Sequence, residues 1–208
     1  MTHYIPFGKN CAVALILRQA GLRQESLPFD WVLGEPQHIK RSLDVRFEDW
    51  FSDEATIEID YDKGIELINE NEVKGIGTVH PNYYIHKTLM PNGTFFTHMN
   101  MTDPDVRKTM KKRIDRFYSI IDSDEPIVFV SSIPYKILNE YGLIDYFDRD
   151  VKFLLFRWKQ SGAKPAVLNK FINYNVLTYT GPTAFNQTAI DNAVSVLTSP
   201  EFSDILKM

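Results

Sequence analysis

The chain has 208 residues, 44% of them hydrophobic, which is enough to bury a full core and excludes a disordered chain. A formal charge of −4 at pH 7 argues against an electrostatic nucleic-acid binder, which needs a basic face. The single cysteine, Cys11, excludes an internal disulfide and any thiolate metal cluster, and it fits a reducing compartment.

Tyr4 to Phe7 reads as a short strand, Gly8-Lys9-Asn10 as a turn, and Cys11 to Ala20 as an apolar helix. A strand that turns through glycine into a helix aims the free N–H groups of the first helical turn at whatever sits above the strand end. That arrangement suits a phosphate, an oxyanion or a reactive thiolate. A second extended stretch ends in the Pro28-Phe29-Asp30-Trp31 corner.

Glu35 to Trp50 has Ile39, Leu43 and Phe47 at four-residue spacing and predicts a helix, with Pro36 in its first turn. Thr56 to Asp62 alternates apolar and polar residues and predicts a half-buried strand. After a loop-rich region comes a hairpin: Asn82 to Met90, a Pro91-Asn92-Gly93 turn, and Thr94 to Met101. It puts Phe96, His98 and Asn100 on one face.

Thr102 is placed to cap a helix that runs to about Ile121, with Met110, Ile114, Phe117 and Ile121 inward. Its Lys111, Lys112 and Arg113 read as a solvated face. Ile127–Val130, Val151–Phe156 and Asn175–Tyr179 are apolar runs of the kind found in parallel strands buried on both sides. A helix from Tyr135 to about Tyr141 and another from Thr188 to Leu197 complete the order. The expected fold is α/β, three-layered, with a mainly parallel sheet and an inserted hairpin over about 82–101, in one domain spanning 1–208. No apolar run approaches the ~20 residues of a membrane span, and no signal peptide is recognisable. A soluble, cytoplasmic protein is expected, in the host cytoplasm if the source is viral.

Three groups of residues can carry chemistry. Cys11, at a helix start, gains thiolate character there, and a nearby imidazole such as His98 would complete an activated nucleophile; equally, Cys11 is simply packed. Asp30, set among aromatics, reads either as a general base raised by partial burial or as a cap of its own turn. Ser131, Ser132 and Arg157 fall at the carboxyl ends of presumed parallel strands, where open α/β sheets bind ligands. His80 and His86 have no metal-ligand spacing. The Asp148-Arg149-Asp150 triplet fits an Asp-x-Asp pattern, but triplets of that form also occur at 60–62, 103–105 and 122–124, and this one reads as a turn.

The Gly8-Lys-Asn-Cys11-Ala-Val-Ala start, Leu22-Arg23, Pro28-Phe-Asp-Trp31, Phe95-Phe-Thr-His98, and Arg113 and Arg116-Phe117 before Ile127-Val-Phe-Val130 recur together in one group of proteins. Over roughly residues 3–160 the chain resembles the domain-of-unknown-function family labelled "putative papain-like cysteine peptidase". That resemblance implies Cys11 as nucleophile and His98 as base; Asn100, on the same face of the strand as His98, is a candidate to orient the imidazole. An acidic residue commonly follows the family's histidine, and here Met99 and Asn100 stand instead. Such domains are often found beside glycan-assembly enzymes, and the chain is also similar in size and style to a sugar-transferring domain of multi-domain algal-virus proteins.

The leading expectation is an inverting glycosyltransferase using a nucleotide-sugar donor and a glycan acceptor, as a whole protein or as part of a larger one, because the two buried strands of the C-terminal half suit a nucleotide-binding sheet better than a papain-like barrel. Gly8, Lys9 and Asn10 would hold the diphosphate with Ser131, Ser132 or Arg157. Asp30 or His98 would act as base, and Trp31 and Tyr84 would stack on sugar. No resident cofactor is required, and dependence on a divalent metal is left open. The alternatives are a Cys11/His98 hydrolase or acyl transferase, and a binding module without chemistry.

Overall fold

The computed structural model describes residues 1–8, 11–51, 56–59, 83–86, 95–97, 99, 101–159, 164–171, 174–180 and 187–202. Its centre is a five-stranded sheet of β1 (His3–Pro6), β6 (Ile127–Ser131), β7 (Lys152–Lys159), β9 (Tyr174–Thr180) and β8 (Lys164–Lys170), in that spatial order. The pairs β1·β6, β6·β7 and β7·β9 are parallel, and only β8, at the edge, runs antiparallel. The fold is therefore α/β with a mainly parallel sheet.

Alternation along the strands decides which layer each side chain joins. Tyr4, Val128, Val130, Leu154 and Phe156 point to one face, where Val13, Ile16 and Leu17 of α1 (Ala12–Gln19) meet Ile190, Ala193 and Leu197 of α5 (Gln187–Leu197). Ile5, Phe7, Ile127, Phe129, Phe153 and Leu155 point to the other face. That face is covered by α2 (Pro36–Asp44), α3 (Pro104–Ile121) and the segment through α4 (Tyr135–Glu140). Phe7, Phe29, Phe47, Trp50, Phe117 and Phe129 form one aromatic cluster there, mostly edge to face at 4.7–6.1 Å between ring centroids.

A second, antiparallel sheet in the order β2 (Val32–Leu33), β5 (Phe95–Thr97), β4 (Tyr83–His86), β3 (Thr56–Ile59) lies between β1 and β6 in sequence. The expected hairpin is present as the β4·β5 pair. Its register sets Ile85 opposite Phe95, which leaves residues 86–94 between them, more than a two-residue Asn92-Gly93 turn would. Residues 87–94 of that connection, the expected Pro91-Asn92-Gly93 turn among them, lie outside the described residues.

Three local expectations differ from what is observed. The helix expected over 35–50 stops at Asp44, because Arg46 (φ 48°) and Phe47 (φ 64°) turn left-handed and the Phe47 N–H bonds back to the Ser42 carbonyl at 2.7 Å. This closes the helix in the Schellman manner without a glycine, and it drops Phe47 and Trp50 into the aromatic cluster. The cap of α3 is Asp103, which accepts from Asp105 N at 2.8 Å, and not Thr102. Strand β8 has no counterpart among the elements that the sequence predicts.

Candidate functional site

β1 and β6 are neighbours and parallel, so their carboxyl ends and the turns that follow them lie side by side. Ser131, fully buried at the end of β6, donates its hydroxyl to the Phe7 carbonyl at 2.6 Å and accepts from Ile133 N at 3.1 Å. The Ser132 N–H reaches the Gly8 carbonyl at 3.5 Å. Gly8 has φ +63°, and a Cβ there would sit 2.5 Å from Ile39 Cδ1 and 3.3 Å from Ile133 Cδ1. The left-handed backbone there favours glycine, and a Cβ would also have to displace the tip of the Ile39 side chain. The structure thus gathers Gly8, Ser131 and Ser132 at the carboxyl edge of the sheet, where open parallel sheets bind ligands.

Cys11 stands at the head of α1, with φ −71° and ψ −10°, and its carbonyl accepts the Leu15 N–H at 3.0 Å. It is half-buried and carries no disulfide. Burial pushes its thiol up, against a smaller downward pull from its own backbone N–H. Among the described residues no side chain is hydrogen-bonded to its sulfur. Lys9, Asn10, His98 and Asn100 lie outside the described residues, so the Gly8-Lys9-Asn10 cradle and the Cys11/His98 pair are each described at one member. Tyr84 lies on β4, opposite Glu58 and Phe96. Trp31 is half-buried against the aromatic cluster, and Arg157 is exposed on β7, opposite Thr178.

Asp30 is fully buried. Its carboxylate accepts the Leu27 N–H at 3.0 Å, closing the 3-10 turn Pro28–Trp31, and is ion-paired with the guanidinium of Arg23. In the sequence Arg23 stands only within the recurring Leu22-Arg23 motif, and nothing local announces a partner seven residues away.

At the opposite, amino-terminal edge of the sheet is an open cavity of about 620 Å³, with Asp122, Asp124, Asp148, Arg149, Asp150 and Lys152 in its wall. Two of the Asp-x-Asp triplets therefore meet in space. Arg149 between them is spent on structure: it donates to the carbonyls of Ile121 (2.8 Å), Ser123 (2.5 Å) and Glu125 (2.6 Å), closing the end of α3. Among the described residues no group of three or more His, Cys, Asp and Glu could hold a metal ion. Among them, too, no helix is long and apolar enough to cross a membrane.

No solved structure matches the chain. A curated relative, uncharacterized protein R408 of Acanthamoeba polyphaga mimivirus, is 24% identical over 136 residues, which is 62% of this chain. The chain spans 60% of that relative's length. The sequence profile of a family described as "Putative papain-like cysteine peptidase" matches residues 2–152, from before β1 to the first residue of β7, and the chain belongs to that family.

Proposed function

We propose that the chain is a hydrolase or acyl transferase in which Cys11 is the nucleophile and His98 the base. The observation that carries this reading is the place of Cys11: half-buried, at the N-cap of α1, the first helix after β1. Membership of a family described as papain-like peptidases supports it. In the proposed reaction the thiol proton passes to the imidazole and Sγ attacks an acyl carbon. The first-turn N–H groups receive the charge that develops on the acyl oxygen. The protonated imidazole then gives its proton to the leaving group, and water or an acceptor nucleophile releases the acyl group from sulfur.

Burial alone holds the thiol up, so the reading requires the imidazole to draw the proton away. A panel of aryl esters and peptide amides, assayed with the wild type and with Cys11→Ser, tests it. Turnover of an acyl substrate that disappears in the serine variant is expected. Equal turnover by both proteins refutes it. The same proposal takes residues 1–208 as a single domain, which is supported by one sheet extending from β1 to β8 and by α1 and α5 sharing a cluster.

Sugar transfer from a nucleotide-sugar donor is the second reading. What favours it is the open parallel sheet, whose carboxyl edge brings Gly8, Ser131 and Ser132 together; the family description does not point that way. A thermal-shift screen of nucleotide sugars separates the two, since a donor that binds only the folded chain raises its melting temperature.

A further inference from the structure

One hydroxyl ties together the two turns that leave β1 and β6. Ser131 is fully buried at the end of β6. Its hydroxyl donates to the Phe7 carbonyl at 2.6 Å, lies 3.4 Å from the Gly8 carbonyl, and accepts the Ile133 N–H at 3.1 Å. The Ser132 N–H meets the same Gly8 carbonyl at 3.5 Å. A hydroxyl has a single hydrogen to donate, and this one is directed at the chain as it leaves β1.

Chain length says what that tether controls. Cys11 follows Gly8 by three residues, so successive Cα steps keep its Cα within about 11 Å of that of Gly8. On the helix side, Cys11 is the N-cap of α1, which Val13, Ile16 and Leu17 hold against the sheet. On the strand side, the Phe7 N–H bonds to the Val130 carbonyl at 2.7 Å, and the Phe7 carbonyl is held by Ser131. Because a peptide unit is planar, holding that oxygen sets the orientation of the Phe7–Gly8 bond and the direction in which the turn departs. Packing therefore fixes the turn at its helix end, and the Ser131 hydroxyl fixes it at its strand end.

We propose, resting on the reading of Cys11 as nucleophile, that Ser131 is a positioning residue for it: the buried hydroxyl holds the turn after β1 in the place from which the sulfur meets its base and its acyl substrate. Removing the hydroxyl strips the Phe7 carbonyl and the Ile133 N–H of a shared partner, and both turns must shift to find others. Thiol chemistry is sensitive to such a shift, since reacting atoms must be held at about 3–3.5 Å and a displacement of about 1 Å can cost about 100-fold in rate.

The test compares the wild type with Ser131→Ala, Ser131→Cys and Ser42→Ala, all below the onset of unfolding. Ser42 is another buried hydroxyl, donating to the His38 carbonyl at 2.7 Å and accepting from Trp50 Nε1 at 2.9 Å, and its removal controls for lost stability. Two quantities are read: steady-state turnover of an acyl substrate, and the pH midpoint of iodoacetamide labelling of Cys11. Ser131→Ala should lower kcat about tenfold or more with KM changed less than about twofold, and should raise the labelling midpoint by about half a pH unit or more. Ser131→Cys keeps the volume and a weak donor; it should lower kcat several-fold, and it carries the test if the alanine variant does not fold. Ser42→Ala should match the wild type in both. Unchanged kcat and midpoint, a rise in KM at unchanged kcat, or losses that Ser42→Ala reproduces would overturn the positioning role and leave Cys11 as nucleophile. A wild type that turns over no acyl substrate and labels only at alkaline pH would instead remove that reading, and this role with it.

Discussion

Acidification should destabilise this fold through one buried ring. His38 is 4% exposed, and its Nδ1 accepts the Glu35 N–H at 3.2 Å, which closes the first turn of α2. Burial pushes its pKa down from 6.5 to about 4. Between those values the unfolded chain binds a proton that the folded chain refuses, so stability is complete above pH 6.5 and is lost as the pH falls toward 4. Each pH unit in that window costs about 1.4 kcal/mol, so going from pH 7 to pH 5 should remove about 2 kcal/mol through His38 alone. The assay is urea unfolding of the wild type and of His38→Gln, whose amide oxygen can still accept from Glu35 N, at several pH values. Carboxylates and other groups titrate in both proteins and cancel in the difference. The variant should lose about 2 kcal/mol less than the wild type over this range. Parallel pH profiles for the two proteins would refute the assignment.

Two substitutions probe the frame around the candidate site. Gly8→Ala combines an unfavourable left-handed backbone with a Cβ 2.5 Å from Ile39 Cδ1. It should cost about 2–4 kcal/mol, seen as a lower urea midpoint at an unchanged slope; a change under ~0.5 kcal/mol would contradict the packing described. Asp30→Ala strips the buried Arg23 of its counter-charge and the Leu27 N–H of its acceptor. Losing one partner of a buried pair should cost about 3–5 kcal/mol in thermal or urea unfolding, whereas a loss below ~1 kcal/mol would mean that Arg23 is not buried as described.

The parallel core was legible because period and composition carry it. The apolar runs at Ile127–Val130, Val151–Phe156 and Asn175–Tyr179 fall on β6, β7 and β9, whose flanking layers demand apolar residues on both faces. Strand β8 escaped notice because Lys164-Pro165-Ala-Val-Leu-Asn169-Lys170 has the mixed polarity of an edge strand. The helix from Glu35 was overextended because Phe47 keeps the four-residue spacing while its backbone has already turned away, a choice made by the aromatic cluster and not by local propensity. Arg149 and Arg116 were unreadable for a different reason. Their acceptors are carbonyls 24–28 and 90 residues away, and such contacts leave no pattern in sequence. Asp30 is half legible: the sequence offers a turn cap and a general base alike, the Leu27 N–H supplies the cap's hydrogen bond, and the ion pair with Arg23 leaves no local pattern.

The proposed function turns on whether the sulfur of Cys11 is activated, and its rate of alkylation by iodoacetamide as a function of pH measures that directly. With burial alone the thiol titrates above its ordinary range, so the wild type should label at neutral pH only if His98 shares its proton. The expected result is a labelling midpoint below the ordinary thiol range in the wild type, shifted to alkaline pH in His98→Ala. Labelling confined to alkaline pH, and identical in both proteins, would contradict the assignment of Cys11 as a nucleophile.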